Sequence, residues 1–596
     1  MLVWGAATSA AAAEAAESPL RLPTVTVTGT LPPGRVAARP TVVIGREELA
    51  RMPAQSVTEA LRFLPGLSLQ SRGLGPVQGD LSFRGSTFSQ VLILIDGVRI
   101  SDPQTAHHNL DIPLSLADVE RIEILQGPAC ARYGADAVAG AVNIITRRPR
   151  AACLRAEAAG GSFGTNREAL TAGGRLGSVF SGTVSAAREA SDGYRFDTDY
   201  EVRTLSGALN WEGRTSTADA FFGLQEKEFG AYDFYSPGMG FASREQTGTR
   251  LAALSWSNED DGRLLEARAS FREHDDDFVL DFRNPALSSS DHRTDVAGVQ
   301  IFGQRPQGSG LLSAGIELRG ETINSNTLGN HQRGVVSPFA EYALALGPLD
   351  VDGALRLDIY SRLKSPQASP ALALAWRLPG GFFSARAQAA TAYRVPSYTE
   401  LYYLSPANIG DSGLKPERSL NYGAGLLFNR AGWPVEASLD TFERQERDVI
   451  DWVRENTSEP WRAVNSGRIR VRGLETQAAW HAPWGGARLD FVILSKKLNP
   501  EAAFSKYVLT NPGRQLGVQL WRDETPWLPV ALFAALSWRH YSDQEYAVVD
   551  LCVSKRYGVC EVFAEGHNLL DADYSEAMVP APGIWGLGGL RLYLGR

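Results

Sequence analysis

From Pro149 onward the chain keeps one rule for about 450 residues: apolar and polar side chains alternate, and Gly, Asn, Asp and Pro interrupt the alternation at intervals suited to turns. The segment GLRLYL shows the rule plainly, with Leu590, Leu592 and Leu594 on one side and Arg591 and Tyr593 on the other. LRAEAAGGSFG and LLEARASF (264–271) repeat it, and strong helical periodicity is absent. A period of two is the period of a β-strand, whose successive side chains point to opposite faces. At roughly 20 residues per strand with its turn, this stretch predicts about 22 antiparallel strands. A closed sheet of that size encloses a lumen wide enough to need filling.

No run approaches the roughly 18–20 apolar residues that a membrane helix requires. The longest apolar core strip, VLILI at Val91–Ile95, is strand-sized, so a helical membrane protein is excluded. The averages look soluble, with 44% hydrophobic and 21% charged residues and a mean hydropathy of -0.17. A membrane barrel gives such averages too, because alternation dilutes its hydropathy. The soluble alternative is a large all-β protein such as a propeller, yet no blade signature repeats at about 40–50 residues. A net charge of -8 argues against a nucleic-acid partner.

The four cysteines are Cys130, Cys153, Cys552 and Cys560. Cys552 and Cys560 flank SKRYG, which reads as a hairpin turn. Alternation places Cys552 with Asp550 and Ser554, opposite the face shared by Leu551, Val553 and Cys560. Directly paired residues must share a face, so a disulfide between them is disfavoured. Cys130 with Cys153 stays open, and cysteine content does not decide the compartment.

Residues 41–150 follow a different pattern. TVVIG reads as a strand, and a helix follows with Val57, Leu61 and Leu64 at near-helical spacing, closed by Pro65-Gly66. VLILIDGVRI reads as an apolar strand ending in an Asp96-Gly97 hairpin turn, and VERIEILQGP and GAVNIITRRP as two further strands. This is an α+β unit of ordinary domain size. Placed just ahead of a wide barrel, it is the natural occupant of the lumen. Residues 1–22 read as a signal or processing segment, apolar and then Ala-rich, although no Lys or Arg precedes Arg21. LPTVTVTGT (22–30) is an isolated β-prone strip backed by the Pro-rich LPPGRVAARP, and free strand edges are normally hidden.

SVTEALRFLPGLSLQ, LSFRGSTFSQVLILIDGVRI and ADVERIEILQGPACARYGADAVAGAVNIITRRP resemble the plug of TonB-dependent outer-membrane receptors, in that family's order and spacing. YRVPSYTELYY, LKPERS, NSGRIRVRGLE and GHNLLDADY resemble its later barrel segments, and the overall layout is most similar to the cobalamin receptor subgroup. The resemblance implies an all-β transmembrane barrel of about 22 strands over 151–596, with an N-terminal plug domain at 41–150 in its lumen. It makes residues 23–40 a TonB box and linker, the box being Thr24, Val25, Thr26, Val27 and Thr28. An extended strip with free N–H and C=O groups suits strand addition by a periplasmic partner, TonB. The expected location is the bacterial outer membrane, in contact with its lipid, with a periplasmic binding protein as a further partner.

That implied function is uptake of a scarce metal-chelate nutrient, cobalamin or another corrinoid, with a ferric siderophore as the alternative. A passive porin and a secreted β-rich enzyme are rivals of other classes. No G-x-x-x-x-G-K-[ST] loop offers ATP, so uphill transport must be energised from outside the chain. No catalytic set is evident and H-E-x-x-H is absent, so no enzyme activity and no required cofactor are expected. Charged plug residues are candidate anchors against the wall: Arg84, Asp96, Arg99, Glu123 and Arg132, of which Arg84 and Arg132 match family motif positions. Substrate contacts are expected from the apex segments 71–77 and 102–110, through Arg72, Leu74, Gln104, His107, His108 and Asn109. The aromatic outer loop adds Tyr232, Phe234 and Tyr235. His107-His108 could touch a metal in a substrate, although adjacent loop histidines are also ordinary hydrogen-bonding residues. Asp275, Asp276 and Asp277, read as part of an outer loop, are candidate calcium ligands.

Overall fold

The computed structural model describes residues 39–236, 238–430, 432–499, 504–507 and 510–595. The processing segment expected at 1–22 and the strip at 24–28 lie outside the described residues.

The plug is built on a five-stranded mixed sheet in the order Thr41–Gly45, Val119–Gln126, Gly140–Thr146, Val91–Ile95 and Val98–Arg99. Only Val91–Ile95 against Gly140–Thr146 is parallel. Val91–Ile95 is continuously apolar because both of its faces are covered. Val91, Ile93 and Ile95 join the main core with Ile44, Leu61 and Ile122, while Leu92 and Leu94 pack with Ala129, Cys130 and the wall residue Ala392. The turn that follows has positive φ at both Asp96 and Gly97, the conformation that an Asp-Gly hairpin favours. The helix is Val57–Leu61, capped by Ser56, whose hydroxyl accepts from the Glu59 N–H. A two-stranded hairpin, Leu67–Ser71 with Gly79–Phe83, completes the plug beneath its apex.

Around it runs a closed barrel of 22 strands, each antiparallel to its neighbours, and Trp585–Leu594 pairs with Cys153–Gly161 to shut the wall. Leu590, Leu592 and Leu594 face outward while Arg591 is buried on the lumen side, as alternation requires. Short turns such as Gly558-Val559 close one end, and long loops rise from the other. Three of those loops contribute Asn408–Ile409, Ile450–Arg454, Trp461–Asn465 and Phe504–Ser505 to a small four-stranded sheet above the lumen. Several strands run far beyond what a bilayer needs: Arg263–Val279 has 17 residues and Ser289–Gln307 has 19, against about 9–11 for a crossing. No described helix is long and apolar enough to cross a membrane.

Two sequence expectations need correcting. SKRYG is strand for most of its length, since Glu545–Tyr557 continues to Tyr557 and the reversal falls at Gly558-Val559. Asp275, Asp276 and Asp277 lie within strand Arg263–Val279 and not in a loop, so they cannot form one ligand set. Alternation turns Asp276 into the lumen, whereas Asp275 pairs with the exposed Arg250 on the outer wall at 2.7 Å. All four cysteines are free, and Cys552 sits opposite Glu565 in the register while Cys560 sits opposite Tyr557.

Candidate functional site

The plug apex meets the wall through two linked polar groups. Nearest the loops, Arg72 donates to Asp80 Oδ2 at 2.9 Å and to the Phe234 carbonyl at 2.7 Å. His107 Nδ1 lies 2.7 Å from Asp80 Oδ1. Burial works against the Asp80 carboxylate, yet His107 and Arg72 together hold it down at about 2. Aromatic rings surround this trio. Phe88 stacks on His107 with centroids 4.3 Å apart, Tyr507 of an outer loop meets Phe88 edge-on, and Tyr235 closes the other side. The Tyr235 hydroxyl accepts from Gln78 Nε2 at 2.7 Å and contacts Glu245 at 2.5 Å. The result is an aromatic floor with one internally neutralised ion pair, suited to a large ligand held by stacking and a few hydrogen bonds.

Deeper, the 102–111 segment docks on strands Ser216–Gly230 and Arg263–Val279. Arg272 donates to Asp102 at 2.5 Å, Lys227 to Asp111 at 2.7 Å and Gln104 to Asp276 at 2.6 Å. Burial opposes charge on Asp102, and Arg272 with His274 outweighs it, leaving the carboxyl at about 2. His108 and His274 face one another in the same group.

On the opposite side of the lumen, Arg84 donates twice to Glu475 Oε2, at 3.0 and 2.6 Å. Arg84 also sits over the Phe442 ring, and its backbone carbonyl accepts from Arg444. Gln90 Nε2 donates to both Glu417 and Glu446. Gln90 is absent from the candidates that the sequence offers, because nothing local marks a glutamine whose two partners lie more than 300 positions away.

The structure distributes the other candidates unevenly. Asp96 accepts from the backbone N–H and hydroxyl of Thr146, stabilising its own turn. Arg99 bonds Asp136 and the Tyr133 and Ala135 carbonyls, and Glu123 accepts from Arg121 and Asn143, all inside the plug. The sequence suggests wall anchors at these three positions; the hydrogen bonds just named hold the plug's own sheet and turns. Arg132 is half-buried, a cost outweighed by Tyr133 and by the wall carboxylates Glu341, Asp352 and Glu266. Among the apex candidates, Arg72, Leu74, Gln104, His108 and Asn109 are buried in the plug or against the wall. Asn109, for example, accepts from the Asp102 N–H. Phe234 is also buried, packed on Phe229, Leu74 and Tyr200. His107, Tyr232 and Tyr235 keep exposed surface. The apex segments thus serve first as an interface, because the plug top leans on the wall. The string GGSFG at 160–164 has the spacing of a nucleophile elbow, but it is a loop between the first two wall strands, where the Ser162 hydroxyl accepts from the Gly586 N–H.

The family model for the TonB-dependent receptor-like β-barrel matches residues 155–573, and that for the TonB-dependent receptor plug domain matches 34–141. The chain belongs to the TonB-dependent receptor family. It is a protein of the bacterial outer membrane, and its long loops face outward, as is usual for such barrels. Among curated relatives, the vitamin B12 transporter BtuB of Photobacterium profundum is 26% identical over 460 residues, covering 74% of this chain and 73% of the relative. Among solved structures, the siderophore receptor PirA from Pseudomonas aeruginosa superposes with a TM-score of 0.74 at 19% identity, covering 93% of this chain and 99% of that one. The ferric yersiniabactin uptake receptor FyuA from Yersinia pestis gives 0.75 at 16% identity, covering 94% and 98%. At such identities the two structural likenesses speak for the fold.

Proposed function

We propose that this TonB-dependent receptor imports cobalamin or a related corrinoid, captured by the outer loops and the aromatic plug apex. The observation that carries the reading is the sequence match to a vitamin B12 transporter over 74% of the chain. Chemistry at the apex favours it. Phe88, His107, Tyr235 and Tyr507 offer stacking surface, and Arg72 is already neutralised by Asp80. A bulky ligand of low net charge suits that surface better than a strongly anionic chelate, for which free cations at the floor would be the complement. Ferric siderophore uptake is the second reading, favoured by the structural neighbours.

Energy enters through TonB. Residues 24–28 would add as a strand to its sheet, and the pull would act on the plug through the Pro-rich linker. The plug seals the lumen with contacts that are individually breakable, so substrate passes only when they are disrupted. The protein acts as a transporter and not as an enzyme. Outer-membrane lipid contacts the apolar outer wall, and a periplasmic binding protein receives the cargo. Calcium, at Asp275 or Asp277 singly, is the one accessory ion that this reading allows.

The deciding experiment is equilibrium binding of cyanocobalamin, beside a panel of ferric siderophores, to the detergent-purified protein with and without calcium. Cobalamin binding that is lost in Tyr507→Ala supports the proposal. Binding of a siderophore alone replaces the substrate while leaving TonB-dependent transport in place. A passive pore is tested by deleting 24–28: its flux would persist, whereas energised uptake stops.

A further inference from the structure

Where the 102–111 segment touches the wall, two imidazoles and a carboxylate converge. His274 Nε2 lies 2.8 Å from Asp111 Oδ2, and His108 Nδ1 lies 3.4 Å from the same oxygen. Each ring has a second carboxylate behind it. Asp276 Oδ2 is 3.2 Å from His108 Nε2, and Asp102 Oδ2 is 3.5 Å from His274 Nδ1. All of these side chains are buried, and two of their polar atoms, His274 Nδ1 and Asp276 Oδ1, have no hydrogen-bond partner among the described residues.

Each ring can keep its proton on the outer nitrogen, toward the backing carboxylate, and both inner nitrogens then present lone pairs beside Asp111 Oδ2, the donor set that a cation takes. The local charges favour a cation: Asp102, Asp111 and Asp276 bring three negative charges, and Lys227 and Arg272 supply two positive ones.

We infer that His108, Asp111 and His274 form a binding site for a divalent transition-metal cation that ties the plug to the barrel wall. The spacing is right: ligands held at about 2.0–2.1 Å around a tetrahedral ion sit roughly 3.3–3.4 Å apart. Within the trio the atoms to be used all lie within 4.8 Å of one another, so side-chain adjustment alone would close the set. Backing of each ligand histidine by a carboxylate is the usual outer arrangement of such sites, where it fixes tautomer and ring orientation. Imidazole nitrogens select borderline cations such as zinc or cobalt over calcium. Two ligands come from the plug and one from strand Arg263–Val279, so the ion would act as a staple across the surface that must part during transport.

The test uses the untagged full chain in detergent, loaded with Zn2+ or Co2+ and passed through a desalting column. The expected result is one ion retained per chain, with visible Co2+ absorption bands of nitrogen and oxygen ligation. His274→Ala and His108→Gln should each abolish that retention, whereas His540→Ala, a change at an exposed histidine, should leave it intact. Heat-modifiable gel mobility confirms that each barrel is folded, and should one variant fail to fold, the other decides. Retention of less than one ion by the unaltered chain, or equal retention in a folded variant lacking His274 or His108, overturns the inference.

Discussion

The bond between Arg84 and Glu475 offers the sharpest test of how the plug is held. Both side chains are nearly inaccessible, at 4% and 2% exposure, and both Arg84 N–H groups go to the same oxygen, Glu475 Oε2. The other oxygen has no hydrogen-bond partner among the described residues. Arg84→Met therefore strands a carboxylate with no hydrogen bond left from Arg84 in a closed space. Removing one member of a buried pair costs about 3–5 kcal/mol, most of it the penalty of the abandoned charge. Loss of the guanidinium over Phe442, 4.6 Å from the ring centroid, adds to this. The backbone at Arg84 has φ of 52°, but methionine inherits the same strain, and the Arg444 bond to the Arg84 carbonyl is untouched. Single-channel conductance in planar bilayers under increasing urea reads the point at which the plug leaves the lumen. With a urea dependence of about 2 kcal/mol per molar, a loss of about 4 kcal/mol lowers that midpoint by about 2 M. The double change Arg84→Met with Glu475→Leu should recover most of the loss, since an apolar pair of similar volume often replaces a buried ion pair at little cost. A double variant as weak as the single one refutes the reasoning, because the stranded charge would then not be the source of the effect.

Further expectations concern other contacts. Gly223→Ala drives a Cβ into the Pro113 carbonyl oxygen of the plug, where the obstacle is backbone; a loss of about 1–3 kcal/mol in plug retention is expected from such overpacking, read by the same urea titration. Asp102, whose carboxyl the wall residues Arg272 and His274 lower from 3.8 to about 2, stabilises the docked plug fully above pH 4 and loses that contribution as pH falls from 4 to 2. Conductance recorded across that range should show plug seating weaken only there, by roughly 2–3 kcal/mol. Thr26→Pro, which removes a backbone donor from the strip proposed to pair with TonB, should abolish energised uptake while ligand binding is unchanged; Thr26→Ala should affect neither.

The barrel was legible because alternation is a local property. Leu590, Leu592 and Leu594 announce an outer face without knowledge of their neighbours, and the same parity separated Cys552 from Cys560 correctly. Local reading failed at Asp275, Asp276 and Asp277, where three carboxylates in a row suggested a loop. Strand Arg263–Val279 extends well above the bilayer, and a strand in water need not be apolar. Arg84 was set apart by its match to a family motif position, whereas Asp96 and Arg99 were offered on charge alone, and their partners are the plug's own turns. The His108–Asp276 and Lys227–Asp111 contacts join residues 168 and 116 positions apart. Such pairs follow only from the rotation of the plug inside the barrel, and that angle is set by the sum of many contacts.

The seam between Cys153–Gly161 and Trp585–Leu594 bears on how the molecule is made. Until those two strands meet, each carries an open row of N–H and C=O groups, which hydrocarbon cannot satisfy. Closure and insertion must therefore be one event. The plug precedes every wall strand in the chain, so it is synthesised first and has to be inside when the last pairing zips shut. Its sheet pairs only with itself, but the docking of His107, Asp111 and Arg84 waits for a wall that does not yet exist. A receptor whose seam closes before the plug is gathered in would be a complete barrel with an open bore, and the cell would meet it as a leak.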